Sequence, residues 1–251
     1  MQSPDCGSDF SVSGVAAAGQ GHPACPVDAC ETVLQAIASR RSVRGFLPRP
    51  VPRETLQRLL EVAGTAPSGS NIQPWHVHVV TGKTLEQLVA ALSQAHARGE
   101  SATREFQYYP TEWRAPYIDR RRENGWGLYQ TLGIGKADRE AMAAQHGRNY
   151  TFFDAPVVLV FSIDRDMPVG SWLDYGMFLQ NVMVAARAFG LHTCPQAAIS
   201  NYAAVVKPLL GIPDDRVLMC DIALGFEDPG EIANTFRATR LPVDQFAVFM
   251  E

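Results

Sequence analysis

The residue types best suited to chemistry in this 251-residue chain first cluster at residues 40–44. This segment reads Arg-Arg-Ser-Val-Arg, so three guanidinium groups and a hydroxyl fall within five residues. Such groups bind the oxygen atoms of a small anion, for example a phosphate. Taken alone, the segment fits better as a solvated helix end, where cations offset the helix dipole.

Two further segments make an anion site the better interpretation. Residues 67–75 read Pro-Ser-Gly-Ser-Asn-Ile-Gln-Pro-Trp, a turn rich in hydrogen-bonding groups, and residues 237–240 read Arg-Ala-Thr-Arg. Flavin mononucleotide needs cations at its phosphate and near the N1–C2=O edge, which becomes negative on reduction, and an amide at the N3/O4 edge. Candidates for the first two needs are Arg40, Arg41, Ser42 and Arg44, with Arg237 and Arg240 closing on the phosphate. Asn71 or Gln73 can meet the third.

Other classes of function find less support. The net charge of −4 argues against a nucleic-acid partner. No Gly-rich fingerprint follows a strand, and no nucleophile–base spacing stands out. Cys25 and Cys30 could be a metal-binding pair, but unpaired cysteines in a flexible leader are the simpler interpretation. His76 and His78 could also bind a metal, but a half-exposed strand face explains them more simply. No apolar run approaches the roughly 20 residues of a membrane helix.

The cysteines and the N-terminal leader suggest a reduced, cytoplasmic protein. Five cysteines in a long chain, Cys6, Cys25, Cys30, Cys194 and Cys220, favour free thiols. Residues 1–28 are rich in Gly, Ala, Ser and Pro and lack a secretory core, so we expect a flexible extension before a domain over 29–251.

Apolar periodicity predicts the elements that hold these segments. A helix capped by Asp28 should place Val33, Leu34, Ile37 and Ala38 on one face and end at the arginines. A second helix should begin at Pro52 and end at Gly64, and a third should span 84–97. Strands are expected at 75–80, 155–162 and 217–224, and a buried or interfacial helix at 174–189. The tail from 228 to 251 is expected to be an extended arm.

Residues 101–150 mix aromatic rings with arginines. This composition suits a lid over a flat anionic ligand, and equally a helical insert that packs its rings into the core. The candidate substrate-binding residues there are Tyr108, Trp113, Tyr117, Arg121 and Trp126.

The ordered motifs resemble the nitroreductase family of flavin enzymes. Arg-Arg-Ser-Val-Arg-Gly-Phe from residue 40 is followed by Ala-Pro-Ser-Gly-Ser-Asn-Ile-Gln-Pro-Trp from residue 66. Leu-His-Thr-Cys-Pro-Gln-Ala from residue 191, Leu-Gly-Phe from residue 224 and Asn-Thr-Phe-Arg-Ala-Thr-Arg-Leu-Pro from residue 234 complete the series. The resemblance covers roughly residues 30–251, and the insert is similar to that of bacterial nitrobenzoate and dinitroaniline reductases.

The resemblance implies an α+β, three-layer α/β/α sandwich with a mostly antiparallel sheet, assembled as a domain-exchanged homodimer with FMN at the interface. It implies that Arg40, Arg41, Ser42 and Arg44 hold the phosphate, ribityl chain and N1/O2 edge. Pro67, Ser68, Gly69 and Asn71 would reach the ring from the partner, and Arg237 and Arg240 the phosphate. Pro195, Gln196 and Ala197 would place backbone amides at the N5 edge. Some relatives have an acidic residue and then Gly after this Pro, where the present chain has Gln196 and Ala197. The side-chain hydrogen bond of those relatives near N5 is therefore not expected here.

The family implies ping-pong chemistry, in which NADPH or NADH delivers a hydride and a nitroaromatic then accepts two electrons, forming nitroso and then hydroxylamine products. No catalytic side chain is required, because flavin N5 carries the chemistry. Alternatives on the same fold are reductive dehalogenation of halophenols, or quinone or enone reduction. A non-enzymatic flavin-binding protein is a more distant alternative.

Overall fold

The computed structural model describes residues 32–251, so the expected extension over 1–28 and the Asp28 cap lie outside the described residues, as do Cys6, Cys25 and Cys30. The helices are α1 (Val33–Ser39), α2 (Arg53–Ala63), α3 (Gly82–Ala97), α4 (Tyr117–Thr131), α5 (Arg139–Gly147), α6 (Val169–Ala188) and α7 (Ala203–Leu210). The strands are β1 (His76–Thr81), β2 (Val157–Asp164), β3 (His192–Gln196) and β4 (Arg216–Gly225). Within this range, every helix is too short or too polar to cross a lipid bilayer.

The four strands form one antiparallel sheet in the order β1-β2-β4-β3. Strand β2 is apolar on both faces because each face supports its own core. Val158 and Val160 pack with α3 and α7, whereas Leu159 and Phe161 pack with α2 and α6. The predicted three-layer α+β sandwich is therefore confirmed.

The first helix presents its apolar face outward within the single chain. Thr32 and Gln35 form a capping box at its start. Of the helical residues only Ala36 is buried, while Val33, Leu34 and Ile37 are 51–79% exposed and Ala38 is also exposed. Periodicity located an apolar face correctly, but no described element covers that face.

Two elements escaped the sequence analysis. Strand β3 contains His192, Thr193 and Pro195, so it lacks an apolar run, and it lies at the sheet edge where a proline is tolerated. Helix α7 contains Pro208 and ends at the left-handed Gly211. Long-range packing stabilises both elements, because each contributes buried residues to the core on one face of the sheet.

Candidate active site

A cavity of about 700 Å³ brings together the two arginine-rich segments of the chain. We call it the arginine cavity, and its polar lining includes Arg40, Arg41, Ser42, Arg44, Asn124, Arg237 and Arg240. These side chains come from the exit of α1, from the segment after residue 235 and from α4. The structure thus brings residues 40–44 and the pair Arg237 and Arg240, which the sequence analysis singled out, to one cavity of a single chain.

The arginine cavity carries positive charge that few carboxylates oppose. Burial and the nearby Arg240 guanidinium both lower the pKa of Arg40. Within residues 32–251, Arg40, Arg44, Arg237 and Arg240 form no ion pair; the last two donate to backbone carbonyls of their own segment. Arg41 differs, since it is paired with Glu227. A concave site with several uncompensated guanidinium groups is suited to a multiply charged anion.

Backbone pairing with the edge of the sheet holds the first segment in place. Ser42 forms a bridge with Thr193 of β3, and the Val43 amide donates to the Thr193 carbonyl at 3.0 Å. Val43 is fully buried, so alternate residues of the segment point into the core and towards the cavity. The polar edge strand β3 is therefore the support for residues 40–44.

Asn234 ties this segment to the C-terminal one. Its Oδ1 accepts from the Arg44 amide at 2.6 Å, and its Nδ2 donates to the carbonyls of Gly45 and Asp228 at 2.9 and 3.0 Å. A Cβ at Gly45 would lie 2.3 Å from Glu231 Cγ, so the two segments approach as closely as glycine allows. Asn234 is thus a positioning residue that sequence reasoning missed, although it stands in the last family motif.

A second cavity, of about 300 Å³, shares Arg44 with the first. We call it the tyrosine cavity, and its lining includes Arg44, Arg104, Tyr108, Tyr109, His146 and the segment 194–198. The predicted N5-edge residues Pro195, Gln196 and Ala197 therefore lie beside a cavity that borders the arginine cavity. Among the described residues, no carboxylate lines the tyrosine cavity.

A buried polar pair lies behind the 195–197 segment. Gln196 Nε2 donates to Asp221 Oδ2 at 3.0 Å, and both side chains are buried. Burial raises the pKa of Asp221 well above its usual range, although the Gln196 amide lowers it. Burial also raises the pKa of Cys194 to about 12. Burial therefore favours the neutral forms of this carboxyl and this thiol, and Gln196 is turned into the core rather than towards the cavity.

The turn at residues 67–75 lies apart from both cavities within this chain. The Gly69 amide donates to Asp174 Oδ2 at 3.0 Å, and Trp75 stacks on Phe178 with ring centroids 4.7 Å apart, so α6 anchors the turn. Ser70, Asn71 and Gln73 all have left-handed backbones, with φ of 48–59°. Several such non-glycine residues in one exposed turn mark a segment under strain, as at ligand-binding sites.

The insert divides between the two cavities. Of the five candidate substrate-binding residues, only Tyr108 lines the tyrosine cavity. Arg121 lies over Trp113 at 4.9 Å and Arg114 over Tyr117 at 5.0 Å, so these groups contact one another. Trp126 lies on α4 near Lys136. Helix α4 instead contributes Asn124 to the arginine cavity.

His76 and His78 lie on strand β1, where the sequence analysis weighed a metal pair against a half-exposed strand face. His76 Nε2 lies 3.0 Å from Asp164, but no group of three or more potential ligands occurs among residues 32–251. The favoured interpretation, a half-exposed strand face, agrees with the partial burial of His76 and His78.

The comparisons with known proteins agree with this geometry. The model of the nitroreductase family matches residues 37–226, so the chain belongs to that family. The chain is 38% identical to a 4-nitrobenzoate reductase of Pseudomonas putida (85% of this chain, 93% of the relative). It is 37% identical to a chloronitrobenzene nitroreductase of Comamonas testosteroni (85% and 95%).

A solved structure extends the likeness to three dimensions. The FMN and NADPH-dependent nitroreductase NfnB from Sphigopyxis sp. strain HMH superposes with a TM-score of 0.85 at 37% identity. The match covers 88% of this chain and 99% of that one.

Proposed function

We propose that this chain is an FMN-dependent NAD(P)H oxidoreductase that reduces nitroaromatic compounds. The observation that carries the proposal is the arginine cavity, with its uncompensated guanidinium groups, joined through Arg44 to a cavity walled by tyrosines. The first suits a phosphate and the second a flat aromatic molecule. The relatives named above reduce nitroarenes, which favours this activity over dehalogenation, quinone reduction or binding alone.

The residues present fit FMN. Arg40, Arg44, Arg237 and Arg240, with the Ser42 hydroxyl, would hold the phosphate and the N1/O2 edge. Arg41 would contribute less charge, because Glu227 already neutralises it. When bound, FMN supplies the hydride-accepting and electron-donating chemistry at its ring.

The protein's own role is to bind and to orient. Pro195, Gln196 and Ala197 would present backbone groups to the N5 edge, and the inward Gln196–Asp221 pair would keep that backbone in place. Tyr108 would lie against the acceptor and exclude water from the ring. No side chain needs to act as acid or base in the electron transfer itself.

A homodimer is part of this proposal. Apolar side chains of α1 are exposed, and so are Val169 and Leu173 of α6 and four tail residues, Phe246, Val248, Phe249 and Met250. Exposed apolar residues on this scale are typical of an interface, and β1 leaves one sheet edge unpaired. Exchange of the tail between subunits would cover these surfaces. In such a dimer, the partner's flavin would be contacted by four residues of the exposed turn: Pro67, Ser68, Gly69 and Asn71.

The remaining assignments are also proposals. We propose that residues 101–150 act as a lid, since Tyr108 and Tyr109 border one cavity and Asn124 the other. We further propose a cytoplasmic location, since the two cysteines within the described residues, Cys194 and Cys220, are free thiols. The domain is taken to span 29–251, after an extension over 1–28.

The test is the visible spectrum of the purified protein before and after NADPH, followed by 4-nitrobenzoate, a halophenol and a quinone in separate reactions. We expect a yellow protein whose absorbance bleaches with NADPH and recovers on adding the nitroarene. A colourless protein that takes up no added FMN would overturn the proposal that FMN is the cofactor. Halide release or quinone reduction without nitro reduction would overturn the substrate class. Light scattering should give twice the chain mass, and removal of residues 243–251 should lower it.

A further inference from the structure

Arg104 is a cation of the tyrosine cavity that neither the flavin site nor the family motifs account for. It lies in the segment between α3 and α4. Its terminal nitrogen donates to Asn201 Oδ1, while its Nε is buried with no hydrogen-bond partner among the described residues. It also forms no ion pair within residues 32–251. A partly buried guanidinium group that lacks a counter-ion and a full set of acceptors is ready to receive an anion.

The acidic neighbour of Arg104 does not neutralise it. Glu105 is turned away from the cavity, where its side chain accepts from Lys207 Nζ at 3.1 Å and from the Leu218 amide at 3.0 Å. These bonds, with one from Arg165, lower the pKa of Glu105 despite its burial, so it stays engaged as a carboxylate. The only carboxylate next to Arg104 in sequence is thus committed elsewhere.

The backbone around Arg104 is held in place. The Thr103 amide donates to the Asn201 carbonyl at 2.7 Å, and the Thr103 hydroxyl accepts from the Ala204 amide at 3.1 Å. Asn201 Nδ2 in turn lies 3.4 Å from the Tyr150 hydroxyl. The guanidinium group is therefore placed before any ligand arrives, which lowers the entropic cost of binding.

We infer that Arg104 binds the carboxylate of a nitrobenzoate-type acceptor and so selects acidic over neutral nitroarenes. This inference rests on the proposed function, because it concerns the acceptor of that reaction. Tyr108 and Tyr109, with ring centroids 4.7 Å apart, offer faces and edges to a single aromatic ring. The cavity of about 300 Å³ is at the small end of ligand sites, which suits one ring better than a dinucleotide.

The other titratable groups around this cavity do not supply the same charge. Burial and the neighbouring His96 lower the pKa of His146, so that its imidazole is neutral at pH 7. Burial raises the pKa of Tyr108, which keeps its hydroxyl neutral and able to donate. Arg44 is cationic but also borders the arginine cavity, where the flavin is expected. Arg104 is therefore the cation available to the acceptor.

The experiment compares 4-nitrobenzoate with 4-nitrobenzamide, a neutral molecule of nearly the same shape, in the parent, Arg104→Gln and Arg104→Lys proteins. The parent should prefer the acid. Arg104→Gln should lower kcat/KM for the acid by about 10- to 100-fold, the range for a hydrogen bond to a charged group, mainly through KM. The amide should change by less than about twofold, and Arg104→Lys should recover part of the preference. Arg98→Gln, at an exposed arginine outside both cavities, is the control.

Binding without turnover provides an independent measurement. Calorimetry with benzoate and benzamide on the FMN-loaded protein should show the same preference for the acid and the same loss in Arg104→Gln. Equal kinetics and equal binding of acid and amide in the parent would overturn the inference. The inference would also be overturned if Arg104→Gln weakened the binding of NADPH, or weakened the binding of both acceptors equally, instead of weakening that of the acid alone. If no nitroarene is turned over, the proposed function fails, and the benzoate titration alone then decides whether Arg104 binds a carboxylate.

Discussion

The arginine cavity and the tyrosine cavity share Arg44 but differ in how the chain assembles them. The first draws most of its cations from two short runs, residues 40–44 and 237–240. The second combines the run 194–198 with isolated residues and one adjacent pair from the stretches around 104–109 and 146–153, and no single motif connects them as a set. Adjacent residues that serve one ligand leave a visible cluster in the sequence, whereas a cavity built from scattered residues becomes visible only after folding.

The two cavities also treat charge differently. In the arginine cavity several guanidinium groups lie together, and the proximity of Arg240 lowers the pKa of Arg40. In the tyrosine cavity, burial raises the pKa of Cys194 and of Tyr108 and so keeps both groups neutral, and the lining cations are Arg44 and Arg104. One region is therefore suited to concentrated negative charge, and the other to an aromatic body with a single anionic substituent.

Removal of the link between the arginine segments should have the largest effect. Asn234→Ala leaves the Arg44 amide and two carbonyls without their partner. We expect it to lower the free energy of unfolding by about 3 kcal/mol or more, since each unsatisfied buried group costs about 1–3 kcal/mol. Denaturant titration measures the loss. Asn181→Ala, which removes one long bond of 3.4 Å, is the control and should cost much less. Equal losses in the two variants would show that Asn234 is no special link.

The next largest effect should be a loss of FMN affinity when a cation of the arginine cavity is removed. Arg40→Ala and Arg240→Ala should each weaken FMN binding by about 1.5–3 kcal/mol, the scale of a hydrogen bond to a charged group. Flavin fluorescence during titration of the apoprotein measures it. Arg58→Ala, at an exposed site paired with Glu61, should leave the affinity unchanged. Unchanged affinity in both cavity variants would place the phosphate elsewhere.

A smaller effect should appear in the pH dependence of stability behind the tyrosine cavity. Burial raises the folded-state pKa of Asp221, so its neutral carboxyl stabilises the folded chain fully below about pH 4, and this contribution declines as pH rises. The amide introduced by Asp221→Asn cannot ionise, so the stability of this variant should rise relative to the parent as the pH increases above about 4, the ordinary pKa of an aspartate. The gain is about 1.4 kcal/mol for each pH unit over which only the folded carboxyl stays protonated.

Urea titrations at several pH values measure this difference. Asp214→Asn, at a fully exposed position, should follow the parent. A difference between the Asp221→Asn variant and the parent that is constant with pH would mean that the buried carboxyl does not titrate as the structure implies.

The smallest effect concerns the Cys194 thiol of the tyrosine cavity, which should not be alkylated in the folded protein. Burial raises the pKa of Cys194 to about 12, so almost no thiolate exists at pH 8. Iodoacetamide should leave Cys194 unmodified in the native protein and modify it in urea, as peptide mass spectrometry can determine. Rapid native labelling would show that the cavity admits solvent to the thiol and that its ionisation is not suppressed.

The central elements of the sandwich were predicted because they carry strong local signals, whereas their three-layer arrangement was implied by the family resemblance. Strand β2 begins with an unbroken apolar run over residues 157–161, and α2 has a clear start at Pro52 and a stop at Gly64. The exposure of the apolar face of α1 could not be predicted, because periodicity reports an apolar face but not what covers it. Strand β3 was missed because its stability comes from pairing with β4 rather than from its own composition.

The candidate site was predicted in the same uneven way. The two arginine segments could be recognised in the sequence because both are short and rich in one residue type. The structure places them at one cavity. Arg104 and Asn234 were missed because each is a single polar residue whose meaning comes from distant contacts. The arginines of the insert drew attention by their number, yet Arg114 and Arg121 lie over aromatic rings of the insert itself.

The Asn234 link has a consequence for the order of synthesis. Asn234 stands 190 residues after Arg44, so a ribosome makes almost the entire sandwich before it makes the residue that joins the two arginine segments. A nascent chain can pair residues 42–43 with β3 earlier, but the arginine cavity is finished only when the final segment emerges. If FMN binds there as proposed, its loading would be a late step of maturation, and chains that terminate early would leave the ribosome without it.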